Sequence, residues 1–233
     1  MMRLLIITNL FPNAVEPNRG LFNVQQFLAL SRRCELTVVA PVPWFPRWRV
    51  LRGGARPDGR GSPLATPQVV GWARFARVPA RETIHGIEVH HPRYLVTPKV
   101  GRGLYALWCF LGIRGTVRRL NRQQRFDVIL ATWAYPDVVA ASWLARRLGI
   151  PLVAKLHGSD INLLTRRGWR RRMVAEALRQ ARGVVAVSEP LKTIVTGWGI
   201  SADRVAVIPN GVDAEAFHPM DRAACRAALG LPG

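Results

Sequence analysis

The chain predicts an open α/β domain, a parallel sheet with helices on both faces, and three observations carry that expectation. From residue 127 onward, short apolar runs alternate with segments of helical spacing, joined by short connections. The run at residues 152–156, Leu-Val-Ala-Lys-Leu, is apolar apart from Lys155, as a strand covered on both sides must be. Of the 233 residues, 49% are hydrophobic, enough for one sizeable core.

Residues 4–8 predict the first strand, followed by a Pro- and Asn-rich loop, residues 9–19, that ends at Gly20. Helical spacing then places Leu21, Val24, Gln25, Leu28 and Ala29 on one side. Gly20 stands where a residue without Cβ allows a phosphate to approach backbone N–H groups at a helix start, and equally where the chain must simply turn. Residues 35–40 predict a second strand. Residues 41–81 are rich in Pro, Gly and Arg and lack periodicity, the mark of an inserted functional loop. Alternation resumes over residues 84–94, where His85, His90 and His91 read as strand residues without a ligand pattern.

Residues 101–106, Gly-Arg-Gly-Leu-Tyr-Ala, fit a dinucleotide fingerprint in letters only. That motif belongs on the first strand-to-helix turn, with its acid at the end of the second strand, and Asp127 instead precedes a strand. The longest apolar run, residues 104–113, is half of the roughly 20 residues that span a bilayer. Beyond it, residues 128–131 predict a strand and residues 136–148 a helix with Pro136 in its first turn and Gly149 at its stop. Residues 152–156 are the next strand, 170–182 a helix, 183–187 a strand, 189–197 a helix and 204–208 a last strand. Pro209, Asn210 and Gly211 then turn the chain sharply into an exposed helical patch, residues 221–229.

The buried run 152–156 ends in His157-Gly158-Ser159-Asp160, four residues of unlike chemistry at the carboxyl end of a strand, where open α/β sheets bind ligands. His157 and Asp160 are the candidate reacting groups, although a histidine after a strand also serves purely structural roles. Cys34, Cys109 and Cys225 lie far apart with no paired spacing, which argues against a disulfide framework and a zinc site and fits a reducing compartment.

The net charge is +20, and it is local: residues 41–125 hold 16 Lys and Arg against 3 acids, and residues 166–182 hold 7 Arg against Glu176. Such an excess attracts a polyanion, either anionic lipid or nucleic acid. Interleaved Trp44, Arg47, Trp48, Arg49 and Arg52 favour a membrane surface, because aromatic rings suit the headgroup boundary. A genome that prefers Arg to Lys would produce part of the same excess, since only 3 of the 34 basic residues are Lys.

Taken together, Thr8-Asn9-Leu10-Phe11-Pro12 with Gly20 and Gln25-Gln26, then His157-Gly158-Ser159-Asp160-Ile161, Val187-Ser188 before Leu191, and Ile208-Pro209-Asn210-Gly211-Val212-Asp213 resemble the family 4 glycosyltransferases of the GT-B fold. The likeness is strongest to bacterial enzymes of cell-surface polysaccharide assembly, the teichuronic acid glycosyltransferases among them. The resemblance implies a Rossmann-like amino-terminal, acceptor-side domain at residues 1–208, with an irregular basic insertion at about 41–83. Residues 209–233 would be the linker and the start of a carboxyl-terminal donor-binding domain.

It further implies a retaining transfer of a sugar from a nucleotide-sugar donor to a saccharide or lipid-linked acceptor, with no metal and no cofactor. His157 and Asp160 would act at the reacting sugar, Gly20 and Ser188 would face the donor phosphates and sugar, and Asn210 and Gly211 would form the hinge. The leaving-group site belongs to the other domain, so this chain alone is expected to fold without turning over. The expected location is cytoplasmic, at the inner face of the cell membrane. A second reading is a non-catalytic acceptor- or membrane-binding module that serves a partner subunit. A nucleic-acid binder finds no helix-turn-helix, finger or RNP pattern, and a serine hydrolase finds no nucleophile elbow around Ser159.

Overall fold

A computed structural model describes residues 1–45, 73–97, 101–163, 168–215 and 217–231, without the side chain of Arg102. Its centre is an eight-stranded sheet in the order β10-β9-β8-β7-β1-β2-β5-β4. The strands are β1 (Arg3–Ile7), β2 (Glu35–Val39), β4 (Arg81–Ile84), β5 (Ile87–His90), β7 (Val128–Thr132), β8 (Leu152–Leu156), β9 (Gly183–Ala186) and β10 (Val205–Val207). All pair in parallel except β4, which runs antiparallel to β5 at one edge. The predicted open parallel sheet is therefore observed.

Alternation along β1 explains the layers. Leu5 and Ile7 enter the larger core, with Cys109, Ile113, Ala141, Leu144 and Leu178, whereas Leu4 and Ile6 enter a smaller core with Val24 and Phe27. The larger core is closed by α2 (Tyr105–Gln124), α3 (Val139–Leu148) and α5 (Gly168–Gln180), and the smaller one by α1 (Leu21–Ser31). Three further helices, α4 (Ser159–Asn162), α6 (Glu189–Thr196) and α7 (Arg222–Ala228), follow β8, β9 and β10.

Four expectations change in detail. The buried side of α1 is Asn23, Val24 and Phe27, with Leu28 packed against the same core; of the predicted stripe Leu21, Val24, Gln25, Leu28 and Ala29, only Val24 and Leu28 face inward. Phe27 stacks on Phe11 at 5.4 Å and the Asn23 amide donates to the Leu10 carbonyl at 2.8 Å, so the preceding loop, rather than helical periodicity alone, selects the face. The helix after β7 begins at Val139, because residues 134–138 form a wide turn that opens at Trp133 with φ 84°. His85 is not in a strand; with Gly86 it makes a two-residue hairpin turn with both φ values positive. His90 meets a carboxylate after all, Glu88 of its own strand at 2.6 Å, and no three-residue metal-binding group occurs among the described residues.

Part of the irregular stretch lies among the described residues. β3 (Val42–Trp44) pairs in parallel with β6 (Arg93–Leu95), and Val42, Phe75 and Val78 form a small core of their own. The membrane residues Arg47, Trp48, Arg49 and Arg52 lie outside the described residues. Residues 105–113 of the long apolar run belong to α2, which buries Ala106, Cys109, Phe110 and Ile113. Among the described residues, no helix is long and apolar enough to cross a membrane.

Candidate functional site

Strand order reverses at β1, which has β2 on one side and β7 on the other, so the loops after β1 and β7 diverge there and leave a crevice at the carboxyl edge. The loops after β7, β8 and β9 and the turn after β10 border the same edge. Every residue singled out in the sequence as reacting, phosphate-binding or hinge lies on it.

Asp160 is fully buried, and its carboxylate accepts backbone N–H groups from four residues: Ala134 at 2.9 Å, His157 at 3.1 Å, Gly158 at 2.8 Å and Ile161 at 3.1 Å. Burial pushes its pKa up, and these four donors pull it back down. Its oxygens are thus occupied within the protein. Asp160 fixes the shape of the loop after β8 and joins it to the loop after β7. Gly158, at φ 113° and ψ −68°, takes a conformation that residues with a side chain rarely adopt and lets the chain turn from β8 to α4 within two residues.

That turn delivers His157 to the crevice. Its ring stands 4.9 Å from the ring of Phe22 on α1, tilted by 59°. Neither Nδ1 nor Nε2 has a hydrogen-bond partner among the described residues, although both are buried. Desolvation, with a smaller contribution from the Lys155 charge, lowers the pKa to about 4. The imidazole is therefore neutral near pH 7, with one nitrogen able to donate and one able to accept.

The loop after β1 is held from below. Thr132 donates to Thr8 Oγ1 at 2.7 Å, Asn9 N–H donates to Asp137 at 2.6 Å, and Arg19 Nε donates to the Asn9 carbonyl at 2.6 Å. Asp137 is wholly buried and burial raises its pKa to about 8, so it holds its proton at neutral pH. Gly20 sits at φ 65°, and a Cβ there would lie 2.3 Å from the Leu10 carbonyl oxygen. What demands glycine is the loop closing on itself.

Lys155 projects from β8 on the same side as His157 and is almost fully buried. It donates to Gln26 on α1 and, at 3.0 Å, to Asn210, while Gln26 donates to Asn210 at 2.6 Å. Asn210 is therefore anchored and Gly211, its exposed neighbour, begins a groove between the linker and α1. Ser188 is half-buried at the head of α6, and its side chain makes no capping hydrogen bond. Trp44 is exposed at the end of β3, apart from this crevice.

Sequence reasoning missed Asp137, Asn9 and Arg19 and treated Lys155 as a break in an apolar run. A lone charge inside a buried strand was the available signal for Lys155. Asp137 had none, because Pro-Asp before a helix reads as an ordinary first turn.

A doubly wound sheet with its crevice at this edge is the fold of the GT-B glycosyltransferases. The chain superimposes on sucrose-phosphate synthase of Thermosynechococcus elongatus with a TM-score of 0.62 and 12% identity, over 100% of this chain and 53% of that one. On Anabaena HepE in complex with UDP and glucose the TM-score is 0.57 and the identity 18%, over 99% of this chain and 50% of HepE.

The chain belongs to glycosyltransferase family 4, whose model matches residues 29–216. It is similar to the teichuronic acid biosynthesis glycosyltransferase TuaC of Bacillus subtilis, 25% identical across 99% of this chain and 56% of TuaC. Over 102 residues it is 34% identical to the D-inositol 3-phosphate glycosyltransferase of Nocardia farcinica, which covers 43% of this chain and 21% of that enzyme. The chain thus spans about half the length of TuaC and of the superimposed structures.

Proposed function

We propose that this chain is the amino-terminal, acceptor-side half of a retaining glycosyltransferase that moves a sugar from a nucleotide-sugar to an acceptor hydroxyl in cell-surface polysaccharide or glycolipid synthesis. The observation that carries the reading is His157: a neutral imidazole on the loop after β8 at the carboxyl edge of the sheet, with both nitrogens free of protein partners among the described residues. Buried nitrogens left unpaired within the protein are satisfied by a ligand that supplies hydroxyl groups, and a sugar does so. A hydrogen bond that tightens as charge develops on the reacting sugar lowers the barrier rather than merely binding substrate.

In this scheme Asp160 holds His157 in place through the loop backbone and does not attack the sugar. Gly20 and Ser188 face the donor phosphates, and stabilisation of the leaving diphosphate falls to a second domain joined through Asn210 and Gly211. The scheme calls for no metal. Six apolar side chains from Ile208 to Leu231 are exposed, which supports a linker that packs against more protein than residues 1–208 provide.

A membrane-bound acceptor has its own support, in addition to the basic stretch around Trp44. Leu104, Leu107 and Trp169 are 49%, 37% and 45% exposed. A shallow groove lined by Leu107, Phe110, Trp143, Arg146 and Arg147 continues this apolar surface across α2 and α3 with a basic rim. We place that face on the anionic inner leaflet of the cell membrane, beside a lipid-linked acceptor.

The test is to express residues 1–233 alone and joined to a family 4 carboxyl-terminal domain, offer a panel of nucleotide-sugars with lipid-linked acceptor, and read product anomeric configuration by NMR. Transfer with retention only in the joined protein is expected. Turnover by residues 1–233 alone, or an inverted product, overturns the proposal.

A further inference from the structure

Lys155 of β8 and His157, the first residue beyond it, meet two residues of α1 in register. His157 lies against Phe22, and Lys155, two positions earlier on the same side of the strand, donates to Gln26, one helical turn beyond Phe22. Asn210 closes a three-membered ring with Lys155 and Gln26, in which its Oδ1 accepts from both. The donors and acceptors are matched throughout: the ammonium only donates, Gln26 accepts through Oε1 and donates through Nε2, and Asn210 only accepts.

The ring contains a cation and no anion. None of the ion pairs among the described residues involves Lys155, and desolvation lowers its pKa to about 8. A buried ammonium offset only by amide oxygens is a poor source of stability, because an apolar side chain of similar volume would fill the site without the cost of removing a charge from water. A role other than stability accounts for its presence, and its contacts identify that role. Lys155 is the one group of the three that reaches both α1 and the segment after β10 from within the sheet.

We propose that Lys155 is a positioning residue that latches Asn210 onto α1, so that the chain leaves the first domain at a place set by the same strand that carries His157. The inference rests on the reading of Asn210 and Gly211 as the interdomain hinge and adds what holds that hinge. The latch ties the position of whatever follows residue 211 to the imidazole through one strand and one helix. Among the described residues, the last backbone hydrogen bond from this segment to the sheet is that of Ile208, whose N–H donates to the Ala186 carbonyl at 2.9 Å.

The experiment uses the 233-residue chain and Lys155→Met, with Gln26→Leu as a second variant that removes the other bridge without touching the sheet. Backbone ¹⁵N relaxation should show residues 210–215 falling below an order parameter of about 0.6 in both variants, while β8 and β9 keep rigid values. The thermal midpoint of Lys155→Met should equal or exceed that of the parent, an outcome that simple destabilisation does not produce. Unchanged order at 210–215 in both variants, or a loss of order that spreads into β8 and β9, overturns the latch. In the joined two-domain protein Lys155→Met should lower kcat by about tenfold and leave the donor KM within about twofold. An unchanged kcat beside a disordered 210–215 segment overturns the positioning role. Absence of transfer in the unmutated joined protein would refute the enzyme reading and leave the relaxation result standing.

Discussion

The Asp160 carboxylate accepts the backbone N–H of Ala134 at 2.9 Å, so a side chain from the loop after β8 holds the loop after β7. With three further N–H groups from its own loop on the same carboxylate, Asp160 is the fixed point from which the position of His157 is set.

Asp160→Asn turns one acceptor oxygen into a donor that faces backbone N–H groups. The fold should lose about 2–4 kcal/mol, the cost of leaving charged-group hydrogen bonds unmade in a buried site, read by urea denaturation. A loss below about 0.5 kcal/mol would show that the loop is held otherwise.

Gly20→Ala places a methyl group against the Leu10 carbonyl at a positive φ. Clash and backbone strain together should cost about 2–3 kcal/mol in the same assay, more than a helix-start glycine in open space would. Equal stability would mean that the loop after β1 shifts freely.

His157 should show no imidazole titration by NMR between pH 5 and 8, because its folded pKa is about 4 against an ordinary value of 6.5. Folding favours the neutral ring, so its contribution to stability is complete above pH 6.5 and is lost as pH falls toward 4. In the joined protein, His157→Ala should cut kcat about 10²-fold with little change in melting temperature, as no hydrogen bond among the described residues depends on its ring. Near-normal turnover, or a variant that unfolds, would return His157 to a structural role.

Asp137 behaves in the opposite sense. Its folded pKa of about 8, against 3.8, means that folding favours the protonated acid. The contribution is full below pH 3.8 and disappears as pH rises through 8. Asp137→Asn, which keeps an acceptor for Asn9 N–H, should gain in melting temperature over the parent from pH 5 to pH 9. A constant gap would mean that Asp137 is ionised throughout.

Liposomes containing anionic lipid should co-sediment the chain, with binding that falls with salt and in Leu104→Ser/Leu107→Ser and Arg146→Ser variants. These side chains are exposed, so their loss leaves the core intact. Each basic residue near such a surface contributes about 1 kcal/mol, and a few suffice for reversible attachment. Arg47, Arg49 and Arg52 changed to Ser test the neighbouring basic stretch in the same way. Equal binding to neutral liposomes, or stronger binding to duplex DNA, would remove the membrane reading.

Local chemistry was sufficient to locate most elements of this protein. Residues 152–156 read as a buried strand and are one, because an apolar run bounded by Pro151 and His157 has one economical fate within an α/β chain. The positions of β2, β9 and α6 followed from similar patterns, and the tetrad at the carboxyl end of β8 was visible because its chemistry changes abruptly there. The buried side of α1 was legible only in part: Val24 and Leu28 were placed on it, but Asn23 and Phe27 were not, since Phe11 and Leu10, in a loop without periodicity, choose which side is buried.

Which of the two tetrad residues is engaged by the protein's own backbone was decided only by tertiary structure. A carboxylate and an imidazole three residues apart look equivalent as letters. Asp160 turns inward, where backbone N–H groups from two loops converge on its carboxylate, and His157 is left with unpaired nitrogens in the crevice. Lys155, Gln26 and Asn210 are separated by 129 and 55 residues along the chain and meet only because β8, α1 and the turn after β10 converge at one edge. Periodicity reports the solvent and core sides of each element by itself. Contacts between elements depend on strand order, which places β8 beside β7 and β9 and brings the linker back over α1.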